Sequence, residues 1–247
     1  MMRAEDDEPI HLEIPFYRQH WDFTCGPASL MMAMKYLDPE TRLGKDLEIA
    51  IWREANMVVS RGSGRFGLAY AAAVRGFYCR VTSSSREIDY VGRLASHLDD
   101  AEMRLLEEQF SERLARCRER GIRERVTAVT PGAIRGSLLA NRVPLLLTST
   151  RWYCGEDLPH WVAVSGIDSA RLYYRNPDDP RPRRRAVARP ELGQFAGYRG
   201  SQAMVEIGRD LPATDGGLTR AAPFLPGRGD RGSMIFAGAT ARVPGAG

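Results

Sequence analysis

Along this 247-residue chain the spacing of the apolar side chains changes partway, and that change limits the architectures open to it. Up to about residue 121 most apolar residues recur at helical spacing. Beyond about residue 142 they gather in short runs bounded by turn residues, as strands do. Helices first and an antiparallel sheet second is an α+β layout, with an N-terminal helical half and a C-terminal sheet.

Residues 10–18 alternate apolar and polar side chains, which predicts a short half-buried strand leading to Gln19. After Cys25-Gly26-Pro27 comes Ala-Ser-Leu-Met-Met-Ala-Met-Lys-Tyr-Leu, a run of strong helix formers with Pro27 where a first-turn proline is tolerated. Cys25 is therefore expected at a helix N-terminus, and the stripe Leu30, Met31, Met34, Leu37 reads as core packing. Further helices are predicted over 44–55, from Phe66 to a stop at Gly76, and over 131–141. Residues 77–82, 143–150, 160–167, 171–176 and 201–207 read as strands. The segment 99–121 reads as an amphipathic helical insertion on the main core, with Met103, Leu106, Phe110, Leu114 and Cys117 on one stripe. One domain is expected over 1–208. Residues 209–247, rich in Gly, Pro, Arg and Ala, are expected to form a mostly disordered tail, in which Arg-Gly-Asp at 228–230 is a chance match.

No stretch approaches the ~20 apolar residues needed to cross a bilayer, and the acidic start Met-Met-Arg-Ala-Glu-Asp-Asp-Glu carries no apolar run. The four cysteines, Cys25, Cys79, Cys117 and Cys154, show neither disulfide-framework nor zinc-ligand spacing. A reduced, cytoplasmic protein without membrane contact is the expectation. All basic residues but Lys35 and Lys45 are arginines, a skew that reads as codon usage. The cluster Arg181, Arg183, Arg184, Arg185, Arg189 reads as a solvated loop. An acidic partner is the other reading, and nucleic-acid binding is not expected. Arg61-Gly-Ser-Gly64 lacks the lysine of a phosphate loop, and no cofactor is indicated.

The chemistry-bearing pattern is built around Cys25. A helix N-terminus carries partial positive charge and free N–H groups, which lower a thiol's pKa and can also hold an oxyanion. Gln19, six residues upstream, is placed to bring a side-chain N–H beside the sulfur. Of His11, His20, His97 and His160, only His160 opens an apolar strand after a loop, a rigid place from which to aim an imidazole as base. Such a base needs a partner to fix its tautomer. Asn176, closing the next strand, would sit beside His160 in a hairpin, with Asp178 and Asp179 as rivals.

The order Gln19-x5-Cys25-Gly26-Pro27-Ala28, a histidine opening a Val-rich strand that ends Gly-Ile-Asp, and a strand closing on Asn176-Pro resembles the bacteriocin-processing, double-glycine-leader peptidases of the papain-like superfamily, nearest to their stand-alone relatives. The resemblance implies a papain-like fold and assigns Gln19 to the oxyanion hole, Cys25 to attack, His160 to acid and base, and Asn176 to orientation. Those peptidases have Asp where this chain has Asn176. The insertion at 99–121 also sets it apart from them and leaves the substrate open.

The expected activity is acyl transfer through a Cys25 thioester, cleaving a peptide or amide bond. A leader peptide or a carrier-bound acyl group is the expected kind of partner. Amide formation from a carrier-protein thioester and an amine, glutamine crosslinking, and an inactive peptide-binding module are the alternatives. Trp21, Trp161 and two loops, one carrying Trp152 and the other Gly64, are the candidate substrate walls.

Overall fold

The computed structural model describes residues 8–57, 59–89 and 97–209. The described residues all fall within one compact unit. The expected tail, Arg209 apart, lies outside the described residues.

Helix α1 (Cys25–Leu37) is buried on nearly every side, as its run of Met, Ala and Leu dictates. Helix α2 (Lys45–Ala55) is amphipathic, with Glu48, Ile51 and Ala55 on its buried face. Helix α3 (Arg65–Ala73) packs closely on α2 and ends in a turn at Gly76, whose φ of +85° suits a residue without Cβ. Helix α4 (Asp100–Glu119) begins with a full capping box between Asp99 and Glu102. It lies on α3, with the Phe66 and Phe110 rings edge to face at 5.2 Å and the Cys117 thiol donating to the Phe66 carbonyl. Helix α5 (Pro131–Leu139) is capped by Thr130, and α6 (Leu192–Phe195) is a single turn.

The strands are β1 (Ile10–His11), β2 (Tyr78–Ser83), β3 (Arg123–Val126), β4 (Val143–Ser149), β5 (Pro159–Ile167), β6 (Arg171–Arg175), β7 (Arg185–Ala188) and β8 (Ala203–Gly208). They form one sheet in the order β3-β2-β8-β4-β5-β6-β7, with β1 added against β5. Every pairing is antiparallel except β2 with β3. The architecture is mixed α+β, and α1 lies against β5, β8 and β4.

Three expectations need correction. The strand expected over 10–18 is confined to Ile10–His11. Leu12 still donates to the Ser165 carbonyl, but Pro15 has no N–H to extend the ladder. Strand β3 was not foreseen, because Arg-Glu-Arg-Val lies at the sheet's exposed edge and carries no apolar alternation. Strand β7 begins inside the arginine cluster that reads as a loop, with only Val187 buried.

Strand β5 outruns its neighbours, and this positions the site. Strand β4 pairs with its residues 159–163 only, and on that edge β1 takes over at Gly166 and Ile167. On the other edge β6 pairs from Ala163 onward, which leaves Trp161 without a strand partner there. The start of α1 fills that gap, where the Ser29 hydroxyl donates to the Trp161 carbonyl at 3.0 Å.

Close helix packing makes a testable demand. A Cβ on Gly67 of α3 would lie 2.6 Å from Ala55 Cα and 2.7 Å from its carbonyl oxygen, whereas one on Gly136 of α5 would meet nothing within 4 Å. Gly67→Ala is expected to destabilise the protein by about 1–3 kcal/mol. Gly136→Ala should stabilise it by about 0.5–1 kcal/mol, both read from urea denaturation midpoints.

Candidate active site

Cys25 opens α1 and is only 6% exposed. The N-cap Thr24 makes no side-chain bond to the helix, so the first N–H groups stay free. The backbone N–H groups of Trp161, Gly26 and Cys25 itself face the sulfur. Gly26 has no room for a side chain, since a Cβ there would stand 2.9 Å from Ser63 Cβ. The Cys-Gly-Pro sequence thus lets the helix start lie flat on the 60–64 loop.

The free N–H groups pull the thiol's pKa down as the sequence suggested, but they do not prevail. Burial dominates and pushes it up to about 11, against the pull of the three N–H groups, and the Asp178 carboxylate adds to the rise. Removing a thiolate from water outweighs a half-charge at a helix end when the sulfur is this enclosed.

His160, in β5 beside Trp161, is 3% exposed. Its Nε2 lies 2.8 Å from Asn176 Oδ1, just past the end of β6. The Asp178 backbone N–H donates to the same Oδ1 at 3.1 Å, so that atom is an acceptor. His160 Nε2 therefore carries the proton and Nδ1 keeps its lone pair free to act as base. Burial holds the imidazole pKa down at about 4, with the Asn176 bond and the Asp179 carboxylate opposing. Of the three residues that could meet the imidazole, Asn176 is the one bonded to it, and Asp178 touches the amide through its backbone.

Behind Asn176 stands a buried ionic clamp. The amide nitrogen of Asn176 faces Asp179 Oδ1 at 3.5 Å, and that carboxylate takes Arg185 at 2.6 Å and Arg183 at 2.9 Å. The Arg185 guanidinium also sits over the Tyr153 ring, 5.3 Å from its centroid, and that ring lies 5.1 Å from the His160 ring. Arg184 lies over the Tyr173 ring. Arg185 and Arg183 are thus committed to the site's framework, while Arg181, Arg183 and Arg184 stay exposed as the solvated-loop reading expects.

Gln19 is tied at its backbone N–H to the Pro177 carbonyl at 2.9 Å, which joins it to the Asn176 loop. One hydrogen of its amide goes to the Trp21 carbonyl at 3.1 Å, and its buried Oε1 has no hydrogen-bond partner. Trp21 is half-buried beside His20, 5.8 Å between ring centroids.

The other expected walls lie elsewhere. Trp161 is a core side chain, its indole N–H donating to the Ser63 carbonyl at 2.9 Å. Gly64 is buried against Met57, because it caps α3, whose Arg65 is locked to Asp89 at 2.5 Å. Trp152 turns its ring onto Phe195, 5.6 Å away, and its neighbour Tyr153 is the residue against His160. Size favoured the tryptophan in the sequence, although the tyrosine lies on the same loop. Glu48 was also missed, although an acid on the buried stripe of α2 is a visible anomaly. It is 0% exposed and accepts bonds from Thr24, Tyr17 and His20.

A thiol at a helix start against a sheet strand, with an asparagine-held imidazole on that strand, is the layout of a papain-like cysteine peptidase. The chain belongs to the family described as "Peptidase_C39 like family", whose model matches residues 14–192. It resembles a solved structure from Bacillus anthracis described as a candidate C39-like peptidase, at 14% identity and a TM-score of 0.49, covering 83% of this chain and all of that one. No curated protein matches it. Among the described residues no helix is long and apolar enough to cross a membrane, and no cluster of three or more His, Cys, Asp or Glu could hold a metal.

The two pKa directions fix an expected pH profile. With the thiol raised and the imidazole lowered, the free protein holds a neutral pair between about pH 4 and pH 11. Carboxymethylation of Cys25 should therefore keep rising about tenfold per pH unit from pH 6 to 9, read by peptide mapping. A plateau across that range would mean a preformed thiolate–imidazolium pair.

Proposed function

We propose that the chain is a cysteine peptidase-like hydrolase that works through a Cys25 thioester. As the sulfur attacks the amide carbonyl, the thiol proton passes to His160 Nδ1 and a C–S bond forms. The resulting oxyanion is met by the free N–H groups at the start of α1 and the Gln19 amide. Collapse breaks the C–N bond while His160 returns its proton to the leaving amine. Water, deprotonated by the same imidazole, then releases the acid and restores the thiol.

The observation that carries this reading is the fixed tautomer of His160. Asn176 Oδ1 takes the Nε2 proton, which leaves a bare nitrogen on a rigid strand whose next residue presents its N–H to the Cys25 sulfur. The neutral resting pair implies that the proton moves during attack, with the imidazole as general base. Membership of a peptidase-like family supports the same reading.

Residues 1–208 would act as one catalytic domain, with Trp21 and the Tyr153 loop flanking the scissile bond. Cys25→Ala is expected to abolish cleavage of a mixed peptide library, followed by mass spectrometry, while leaving the denaturation midpoint nearly unchanged. Asn176→Ala should retain activity, losing less than the roughly 10²- to 10⁴-fold that general acid–base help supplies. A cleaving Cys25→Ala protein would rule the thioester out.

A further inference from the structure

Glu48 stands apart from the residues that would do the chemistry, yet its carboxylate is wrapped by the segment that carries them. Its Oε1 lies 2.5 Å from Thr24 Oγ1 and accepts the His20 backbone N–H at 2.9 Å. Its Oε2 accepts the Tyr17 hydroxyl at 2.9 Å and faces His20 Nδ1 at 2.8 Å, so that ring nitrogen carries a proton. The four donors span residues 17–24, bracket Gln19 between Tyr17 and His20, and end one residue before Cys25. The Thr24 hydroxyl also lies 2.8 Å from the Trp21 carbonyl, the same oxygen that takes the Gln19 amide. Its single proton goes to the carboxylate, the stronger acceptor.

A carboxylate with 0% exposure is a poor way to fill a core, because its desolvation costs several kcal/mol and an apolar residue of like volume stabilises a fold as well or better. What an apolar residue could not do is anchor a polar turn by four hydrogen bonds. We propose that Glu48 is a positioning residue of the oxyanion site, holding the 17–24 turn so that the Gln19 amide keeps a fixed place relative to the N–H groups at the start of α1. This rests on the thioester reading of Cys25. Glu48 touches neither substrate nor sulfur and acts only through the turn.

Two reactions of the same sulfur separate this role from a merely structural one. Alkylation by iodoacetamide displaces iodide at carbon and builds no oxyanion. Acylation by p-nitrophenyl acetate passes through a tetrahedral oxyanion, forming the C–S bond and expelling p-nitrophenolate. Both would be followed at Cys25 by peptide mapping, because Cys154 is exposed and reacts as well. Glu48→Ala is expected to slow acylation by about 10- to 100-fold, below the roughly 10²- to 10³-fold ceiling for one lost oxyanion donor, with alkylation kept within about twofold. Glu48→Gln keeps the shape and two of the acceptor contacts, and should slow acylation by less, again sparing alkylation. Adding Gln19→Ala to Glu48→Ala should slow acylation little further. Equal slowing of both reactions, unchanged acylation, or additive effects of the two substitutions would overturn the proposal. If Glu48→Ala fails to fold, the split between the two rates in Glu48→Gln decides by the same criteria. An unaltered protein that is alkylated but never acylated at Cys25 would instead sink the thioester reading, and this proposal with it.

Discussion

The site depends on the unequal lengths of β5 and its neighbours. A strand residue with no partner on one edge exposes an N–H and a C=O that must be satisfied. At Trp161 the start of α1 satisfies both, with the Cys25 sulfur facing the N–H and the Ser29 hydroxyl on the carbonyl. The contact fixes the helix against the sheet and brings Cys25 alongside the strand that carries His160. The sheet's own hydrogen-bond accounting thus places a thiol beside an imidazole-bearing strand.

Burial then sets the electrostatics. Both groups sit out of water, so each is pushed towards its neutral form, the thiol upward and the imidazole downward. The helix terminus points the other way and loses, because its partial charge is small beside the cost of desolvating a whole one. Such a pair carries no standing ion pair at rest. The polar framework around it is correspondingly rigid, with Asn176 held between His160, the Asp178 N–H and the Asp179–Arg185 clamp. The same arginine, laid over Tyr153, joins that clamp to the aromatic ring against His160.

Much of this was legible in the sequence where local rules govern. The helices over α1, α2, α3 and α4 follow from their helix formers, caps and stop glycines, and five of the six foreseen strands fall within a residue or two of β2, β4, β5, β6 and β8. Cys25, His160 and Asn176 could be singled out because each ends or begins an element. Strands β3 and β7 could not, since edge strands with one solvated face carry charge in place of alternation. Glu48 was missed, because an acid on an apolar stripe says that something is bound there without saying what.

The sequence by itself determined the α+β layout, the thiol at a helix start and the histidine and asparagine at the ends of successive strands, because these depend on period, capping and turn chemistry along a few residues. The tertiary structure alone decided which nitrogen of His160 is protonated, that the thiol's pKa rises, that Trp161, Trp152 and Gly64 pack inward while Tyr153 meets the imidazole, and that Arg183 and Arg185 clamp Asp179. Each of those depends on burial and on partners distant in sequence. No local pattern encodes how much water a group will lose or which charge will face it.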